Sequence, residues 1–306
     1  MLWQSGETHA AGASHVPTLH ATRVTPAATA AQGKIAFSRS NNRFGSSDIY
    51  VMKPDDSIAT RLTADAAENE EPAWSPDGKQ IAFTSTRDGN YEVYVMNADG
   101  SGQTNLTRSA AVETSPAWSP DGTRIAFVAF VETRGYQIHV MNADGSGRRS
   151  LSGERGGERE PSWSPDGTRI AFSRGSFIHV MNADGGGVRQ LTQGTAPAWS
   201  PDGARIAFVS QGWPSSGGQT IRVINAEGTG ERVVAVPPNP TTGPSWSPDG
   251  TEVVYDAYGY AIFRIEVDGC RALAQLRNTF RRDRQPAWQS PATLPVPAPA
   301  ATPCPS

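Results

Sequence analysis

The fold is decided by residues 72–107, which read PAWSPDGKQIAFTSTRDGNYEVYVMNADGSGQTNLT. The P-D-G and N-A-D-G segments predict tight turns, because proline fixes φ and glycine takes positive φ without strain. Between these turns, residues 81–83 and 92–97 predict strands, and the second of them is apolar on both faces. A strand that is apolar on both faces is covered on both sides, as in stacked blades. Residues 105–107 predict a short polar outer strand that suits an exposed sheet edge.

The tryptophan of this unit recurs in the same context along the chain, at Trp74, Trp118, Trp163, Trp199, Trp246 and Trp288. Neighbouring tryptophans are separated by 36 to 47 residues. A repeat of about 40–45 residues with four strands per unit is typical of a β-propeller. One tryptophan at a fixed place in each unit predicts packing between blades rather than a ligand cage.

Five complete units begin at Pro72, Pro116, Pro161, Pro197 and Pro244. Residues 33–63 supply three strands without a first strand, and residues 286–289 supply a first strand with nothing after it. The sequence therefore predicts an all-β, six-bladed β-propeller whose closing blade is shared between the N-terminal strands and the C-terminal strand. We expect this propeller to span residues 33–291, between a disordered N-terminal segment, residues 1–32, and a Pro/Ala-rich disordered tail, residues 292–306.

Composition argues against several classes of protein. The net charge of -3 and pI near 6.0 give no basic field for nucleic acid. No apolar run approaches the roughly 18 residues of a membrane span. Cys270 and Cys304 are too few for a disulfide framework, and whether they are bridged stays open. Residues 1–32 lack the basic start and apolar core of a secretory signal, so a cytoplasmic location stays open.

The five copies of W-S-P-D-G, each followed by an I-A-F-like strand and, in four units, an N-A-[DE]-G turn, resemble a known repeat. They are similar to the Pro-Asp variant of the WD-type repeat in the propeller domain of TolB and its relatives. The resemblance covers residues 33–291. It implies a six-bladed propeller, usually periplasmic or extracellular, that binds proteins or peptides.

Strand direction assigns the turns to two rims of the propeller. The P-D-G and N-A-D-G turns fall on one rim, the bottom, and the more variable loops between second and third strands and between blades fall on the top. Recognition is expected at the variable rim. The predicted binding residues there are acidic Glu70, Glu71, Glu113, Glu158 and Glu160, aromatic Trp213, Tyr258 and Tyr260, and basic Arg281, Arg282 and Arg284. An acidic arc beside a basic segment would orient a mixed-charge partner.

We expect a non-catalytic binding or scaffold propeller that recognises a protein or peptide at this top face, as a monomer and without a cofactor or metal. The alternative is a carbohydrate-active lyase or hydrolase that uses the acidic residues at the channel mouth. A nucleophile elbow, G-x-S-x-G, is absent. His139 and His179 share the mid-blade position of Tyr94, and the N-A-D-G turns lack the full pattern of a calcium loop.

Overall fold

The P-D-G turn joins the first and second strands of a blade and satisfies its own polar groups. Ser75 Oγ donates a hydrogen bond to Asp77 Oδ1 at 2.7 Å, and Gly78 N–H donates to Ser75 O at 2.9 Å. Gly78 has a φ of +68°, where a side chain would be strained. The serine-to-aspartate bond recurs at Ser119, Ser164, Ser200 and Ser247. Five blades therefore begin with the same local structure.

The N-A-D-G turn closes the hairpin between the third and fourth strands. Gly100 N–H donates to Asn97 O at 2.9 Å, and Ala98 N–H donates to Lys79 O, just after the P-D-G turn, at 2.8 Å. The two kinds of turn therefore lie at the same end of the blade. This confirms that they share the rim predicted as the bottom.

The structure is a computed structural model. It describes residues 33–40, 46–54, 58–153, 156–211, 218–236, 242–257, 261–268, 274–278 and 283–289. All of these belong to one compact unit, Gln32–Ser306. The predicted terminal segments, Cys270 and Cys304 lie outside the described residues.

The described residues form 24 strands in six four-stranded antiparallel sheets. Blade 1 contains β1 (Ile35–Ser40), β2 (Ser47–Met52) and β3 (Ala59–Arg61), with β24 (Asp283–Trp288) as its innermost strand. Blade 2 contains β4 (Asn69–Trp74), β5 (Gln80–Ser85), β6 (Glu92–Asn97) and β7 (Thr104–Asn105). Blade 3 contains β8 (Glu113–Trp118), β9 (Arg124–Val131), β10 (Gly135–Asn142) and β11 (Arg149–Ser150).

The remaining three blades follow the same order. Blade 4 contains β12 (Glu158–Trp163), β13 (Arg169–Arg174), β14 (Phe177–Asn182) and β15 (Arg189–Gln193). Blade 5 contains β16 (Thr195–Trp199), β17 (Arg205–Gln211), β18 (Gln219–Asn225) and β19 (Arg232–Ala235). Blade 6 contains β20 (Ser245–Trp246), β21 (Glu252–Ala257), β22 (Ala261–Glu266) and β23 (Ala274–Asn278).

The ring is closed in blade 1 by pairing of β24 with β1. Ile35 lies opposite Trp288 and Ala36 lies opposite Ala287 in this antiparallel ladder. The Trp288 indole N–H also donates to Gly33 O at 3.1 Å. The predicted six-bladed all-β propeller, with its shared closing blade, is confirmed. Closure pairs an inner edge that would otherwise be open to other chains.

Each repeat tryptophan packs between two blades. Trp74 contacts a cluster that contains Ile49 and Val51 of blade 1 together with Ile81 and Phe83 of its own blade. Trp118 and Trp163 join equivalent clusters at the next two junctions. The six tryptophans are only 5% to 9% exposed. The prediction that they serve packing between blades is confirmed.

The first strand of blade 2 is longer than the sequence predicted. Strand β4 includes Glu70 and Glu71, which the sequence analysis placed in a top loop. Pro72 has no N–H, and the ladder skips it because the register shifts between Glu70 and Ala73. A bulge of this kind tolerates a proline inside a strand. The same break recurs in β8, β12, β16 and β24.

Candidate functional site

The central channel opens at the top into a cavity of about 380 Å³. We call this cavity the top mouth. Its wall is formed by the repeat proline and the preceding residue of every blade. The six residues that precede the prolines are Glu71, Ser115, Glu160, Ala196, Gly243 and Gln285. Because the innermost strands all reach this wall, the top mouth combines one position from each blade.

Five of these six wall residues have left-handed backbone conformation without being glycine. Their φ angles are +54° at Glu71, +55° at Ser115 and Glu160, and +52° at Ala196 and Gln285. Left-handed conformation costs a residue with a side chain about 1–2 kcal/mol. Residues held in such conformations concentrate at functional sites. The wall of the top mouth is therefore a strained ring of the kind found at functional sites.

The backbone N–H groups of this ring are bound by side chains of the preceding blade. Gln285 Oε1 accepts from Glu71 N–H at 3.0 Å, and Glu71 Oε2 accepts from Ser115 N–H at 2.6 Å. Glu160 Oε2 accepts from Ala196 N–H at 2.7 Å. Thr242 Oγ1 accepts from Gln285 N–H at 3.2 Å. We call each such bond a latch, because it ties one blade to the next.

The two latch carboxylates receive further hydrogen bonds from hydroxyl groups. Glu71 accepts from Thr84 Oγ1 at 2.8 Å and from Ser115 Oγ at 3.0 Å. Glu160 accepts from Ser173 Oγ at 2.6 Å. Both predicted residues therefore lie in the top mouth, where both carboxylate oxygens of Glu71 and the Oε2 atom of Glu160 accept hydrogen bonds from within the protein.

Glu113 and Glu158 do not face the channel, in contrast to the expectation from the sequence. Their side chains are fully buried inside blades 3 and 4, where Arg148 pairs with Glu113 and Arg174 pairs with Glu158. Asp283 occupies the corresponding place in blade 1 and binds Arg39 at 2.6 Å. A buried carboxylate needs such a partner because its desolvation is costly. These acids stabilise the top ends of the blades.

Glu70 lies at the junction of blades 1 and 2 and accepts a hydrogen bond from Ser47 Oγ at 3.3 Å. Burial raises the pKa of Glu70, and the carboxylates of Glu71 and Glu68 raise it further, whereas Arg284 lowers it. The structure thus brings predicted acidic and basic residues together at this junction. Trp213, Tyr258, Tyr260, Arg281 and Arg282 lie outside the described residues.

A second group of side chains covers the top of the junction between blades 3 and 4. The Phe130 and Tyr136 rings meet edge to face with centroids 5.2 Å apart, and Phe130 is 40% exposed. The Arg159 guanidinium of blade 4 lies 3.9 Å from the centroid of the Tyr136 ring of blade 3. We call these three residues the aromatic shelf. Of these three residues the sequence pointed only to Tyr136, as an aromatic residue of the top rim, although each of them lies at the top end of a strand.

The channel opens at the bottom into a cavity of about 470 Å³ lined by the six repeat tryptophans and the P-D-G turns. We call this cavity the bottom mouth. Nearby N-A-D-G carboxylates are used within their own turns: Asp99 Oδ1 accepts from Ser101 Oγ at 2.6 Å and from Ser101 N–H at 2.9 Å. These bonds hold the pKa of Asp99 below its ordinary value. These carboxylates therefore stabilise their own turns.

The two histidines of the blades stack on phenylalanines of the neighbouring strand. The ring centroids of His139 and Phe127 lie 5.7 Å apart, and those of His179 and Phe172 lie 5.5 Å apart. Register places both histidines at the position of Tyr94, which lies opposite Phe83. Their predicted mid-blade position is confirmed.

Within the part of the chain that the structure describes, no group of three His, Cys, Asp or Glu side chains is arranged to hold a metal ion. The same residues include no helix that is long and apolar enough to cross a membrane.

A family model described as the TolB beta propeller domain matches residues 7–110 and 90–293. Among solved structures, TolB from Acinetobacter baumannii matches with a TM-score of 0.75 and 21% identity, over 84% of this chain and 67% of that one. A putative TolB from Agrobacterium tumefaciens matches with a TM-score of 0.64 and 21% identity, over 85% and 93% of the two chains.

An oligogalacturonate lyase in complex with manganese matches with a TM-score of 0.51 and 16% identity, over 80% of this chain and 74% of that one. At these identities the three structures show a shared fold alone. No curated protein sequence matches the chain significantly.

Proposed function

This chain belongs to the family of TolB β-propeller domains, and on that premise we propose that it is a non-catalytic binding propeller that recognises a peptide or protein segment at the top mouth. The observation that carries the proposal is that one repeat position around that mouth carries five different residue types in the six blades. The W-S-P-D-G turn, in contrast, is the same in five blades, so the variety at the wall position favours recognition over stability.

The size and chemistry of the top mouth suit an extended segment. A cavity of about 380 Å³ admits a few side chains of a partner. Its wall offers carboxylate, hydroxyl and carboxamide groups between six prolines, and the Arg284 side chain lies near the acidic residues of blade 2. Charges of both signs around one opening select orientation and register more than they add affinity.

The carbohydrate-active alternative is weaker because of how the carboxylates are used. Glycoside cleavage by hydrolysis requires two carboxyl groups that are free to act on a sugar between them. Glu113 and Glu158 are buried with arginines, and Glu71 and Glu160 accept latch and hydroxyl hydrogen bonds. Family membership further supports a periplasmic location for a binding propeller of this kind.

The proposal is tested with peptides selected from a random display library on the purified protein. Their dissociation constants are then measured by calorimetry for Glu71→Gln and Glu160→Gln, which keep an oxygen for the latch and remove one charge. The matched controls, Asp99→Asn and Asp144→Asn, remove the same charge at the bottom rim. We expect at least fivefold changes from the top pair and less than twofold changes from the bottom pair. Equal effects, or effects from the bottom pair alone, would refute the proposal.

A further inference from the structure

The latches tie four of the six blade junctions among the described residues. The two exceptions are the junction between blades 3 and 4, where Ser115 stands at the latch position, and the junction between blades 5 and 6, where Ala196 does. Serine and alanine are too short to reach the next N–H. The Ser115 hydroxyl instead donates back to Glu71 Oε1 at 3.0 Å.

At the junction between blades 3 and 4, no side chain of the described residues accepts from the Glu160 N–H, which is therefore an open donor at the top mouth. Glu160 has the same left-handed φ as Glu71 and Ser115, and β12 has the same register break as β4 and β8. Its N–H is therefore directed toward blade 3, as the latched N–H groups are directed toward their preceding blades. At the junction between blades 5 and 6, a Cβ atom added to Gly243 would lie only 2.8 Å from the Ala196 Cβ. The two blades are therefore in close contact there, and little room is left for a partner side chain.

The aromatic shelf lies over the same junction and adds a positive charge. Arg159 precedes Glu160 in the chain, and its guanidinium reaches across to the Tyr136 ring of blade 3. No carboxylate among the residues that the structure describes forms an ion pair with Arg159. Phe130 beside it is exposed and offers an apolar surface. Among the described residues, a backbone donor without an acceptor, a guanidinium without a carboxylate partner and one exposed aromatic ring thus lie at the same junction.

We infer that the junction between blades 3 and 4 binds an acidic side chain of the partner segment, whose carboxylate accepts from the Glu160 N–H in place of the missing latch and pairs with Arg159. An apolar residue next to that acid packs on Phe130 and Tyr136. This inference rests on the proposed function and names the partner chemistry at one edge of the same mouth. Carboxylates that accept backbone N–H bonds and face arginine form the strong, charge-assisted class of hydrogen bond.

The test uses three blocked tetrapeptides that differ at one position: acetyl-Gly-Glu-Leu-Gly-amide and its versions with Gln or Lys in place of Glu. Each peptide is titrated into the full-length, isotope-labelled protein, and the shift of the Glu160 amide resonance is followed by NMR. We expect the largest shift from the Glu peptide, a smaller one from the Gln peptide and none from the Lys peptide. A Gln or Lys peptide that acts as strongly as the Glu peptide would overturn the inference.

A matched pair of variants tests the site itself. Ser115→Gln supplies the missing latch, because Gln285 at the equivalent position has nearly the same φ and already accepts a neighbouring N–H. We expect it to raise the melting temperature and to abolish the shift caused by the Glu peptide. Ser115→Ala leaves the gap open and is expected to keep most of that shift. If the Glu peptide binds Ser115→Gln as well as Ser115→Ala, the inference fails.

Failure here and failure of the proposed function are distinguishable. Display-selected peptides that respond to Glu71→Gln and Glu160→Gln, but bind Ser115→Gln normally, would leave the binding function intact and reject the acidic pocket. Selected peptides that respond only to changes at the bottom rim would reject both.

Discussion

The polar groups at the two mouths of the channel obtain their hydrogen-bond partners in opposite ways. At the bottom mouth each P-D-G turn is satisfied from within, since a serine donates to the aspartate two residues further on. At the top mouth the N–H of one blade is satisfied by a side chain of the preceding blade. The turns at the bottom are therefore independent of one another, whereas at the top the hydrogen bonding of one blade depends on the side chain of the preceding blade.

This difference explains where the sequence repeats and where it varies. A turn that satisfies itself needs the same residues in each blade, and W-S-P-D-G occurs five times. A bond that crosses between blades can be made by glutamate, glutamine or threonine, and it can be omitted. Substitutions at the wall of the top mouth can therefore be tolerated without loss of the fold. They give each blade a different side chain for the recognition of a partner.

The largest effect is expected from removing the strand that both mouths share. A chain that ends at Gln285 loses the Trp288 side chain from the core and two of the four paired positions between β24 and β1. We expect it to lose cooperative thermal unfolding, followed by circular dichroism, whereas a chain that ends at Pro291 melts like the full-length protein. Equal melting of the two chains would contradict ring closure through β24.

At the bottom mouth, Trp163→Ala is expected to reduce the free energy of unfolding by about 3–5 kcal/mol. Trp163 is buried in the cluster between blades 3 and 4, so its removal leaves a large cavity. Denaturant titration measures the loss, and Trp163→Phe serves as a control that should lose less. A near-neutral alanine variant would show that this tryptophan does not pack between the blades.

At the top mouth, Glu160→Ala is expected to cost about 1–2 kcal/mol, because Ser173 Oγ loses its acceptor and Ala196 N–H keeps only its 2.9 Å bond to Ser173 Oγ. Alanine itself tolerates the site, since Ala196 has nearly the same φ. Glu160→Gln keeps an oxygen acceptor and should lie within about 0.5 kcal/mol of the wild type. If both variants lose equal stability in denaturant titration, charge rather than the latch holds this junction.

The smallest effect is expected for the pH dependence of stability, through a histidine in the middle of a blade between the two mouths. Burial, with a smaller contribution from the Arg148 charge, lowers the pKa of His139 to about 4. The unfolded chain binds a proton near pH 6.5 and the folded chain does not, so this residue makes stability fall as the pH drops from about 6.5 to 4. We expect His139→Tyr, which copies Tyr94, to flatten that slope in melting temperature.

His179 provides the matched control for this pH experiment. Burial also lowers the pKa of His179, but the hydrogen bond that its ring Nδ1 donates to Phe177 O opposes the shift. His179→Tyr is therefore expected to flatten the slope less than His139→Tyr does. A larger effect from His179→Tyr would contradict the assignment of the acid sensitivity to His139.

The repeat made the fold predictable, including the shared blade, because each strand and turn carries its own local signal. The site was less predictable. A proline normally indicates the start of a strand, so the residues before the prolines were assigned to loops although they belong to the first strands. The residue immediately before the proline turns into the channel through the bulge, whereas the residue three before it is buried. Spacing alone could not separate Glu160 from Glu158 without that bulge.

A signal for this separation was nevertheless present in the repeat. Three positions before the proline, four blades carry Asn69, Glu113, Glu158 and Asp283, which are similar polar residues and all buried. One position before it, the six blades carry five residue types that differ in size and charge. Recurrence at a fixed repeat position indicates a structural role, and divergence indicates the binding wall. The aromatic shelf gave no such signal, because it arises from contact between two blades.

The closure of the ring also has a consequence for how the domain can be rewired. Gly33 and Trp288 are joined by a hydrogen bond, so the two ends of the described propeller meet at one blade. A short linker between them would allow the chain to be circularly permuted, with new ends in another blade. For the same reason the whole ring can be inserted into a surface loop of a host protein, because it enters and leaves at a single point.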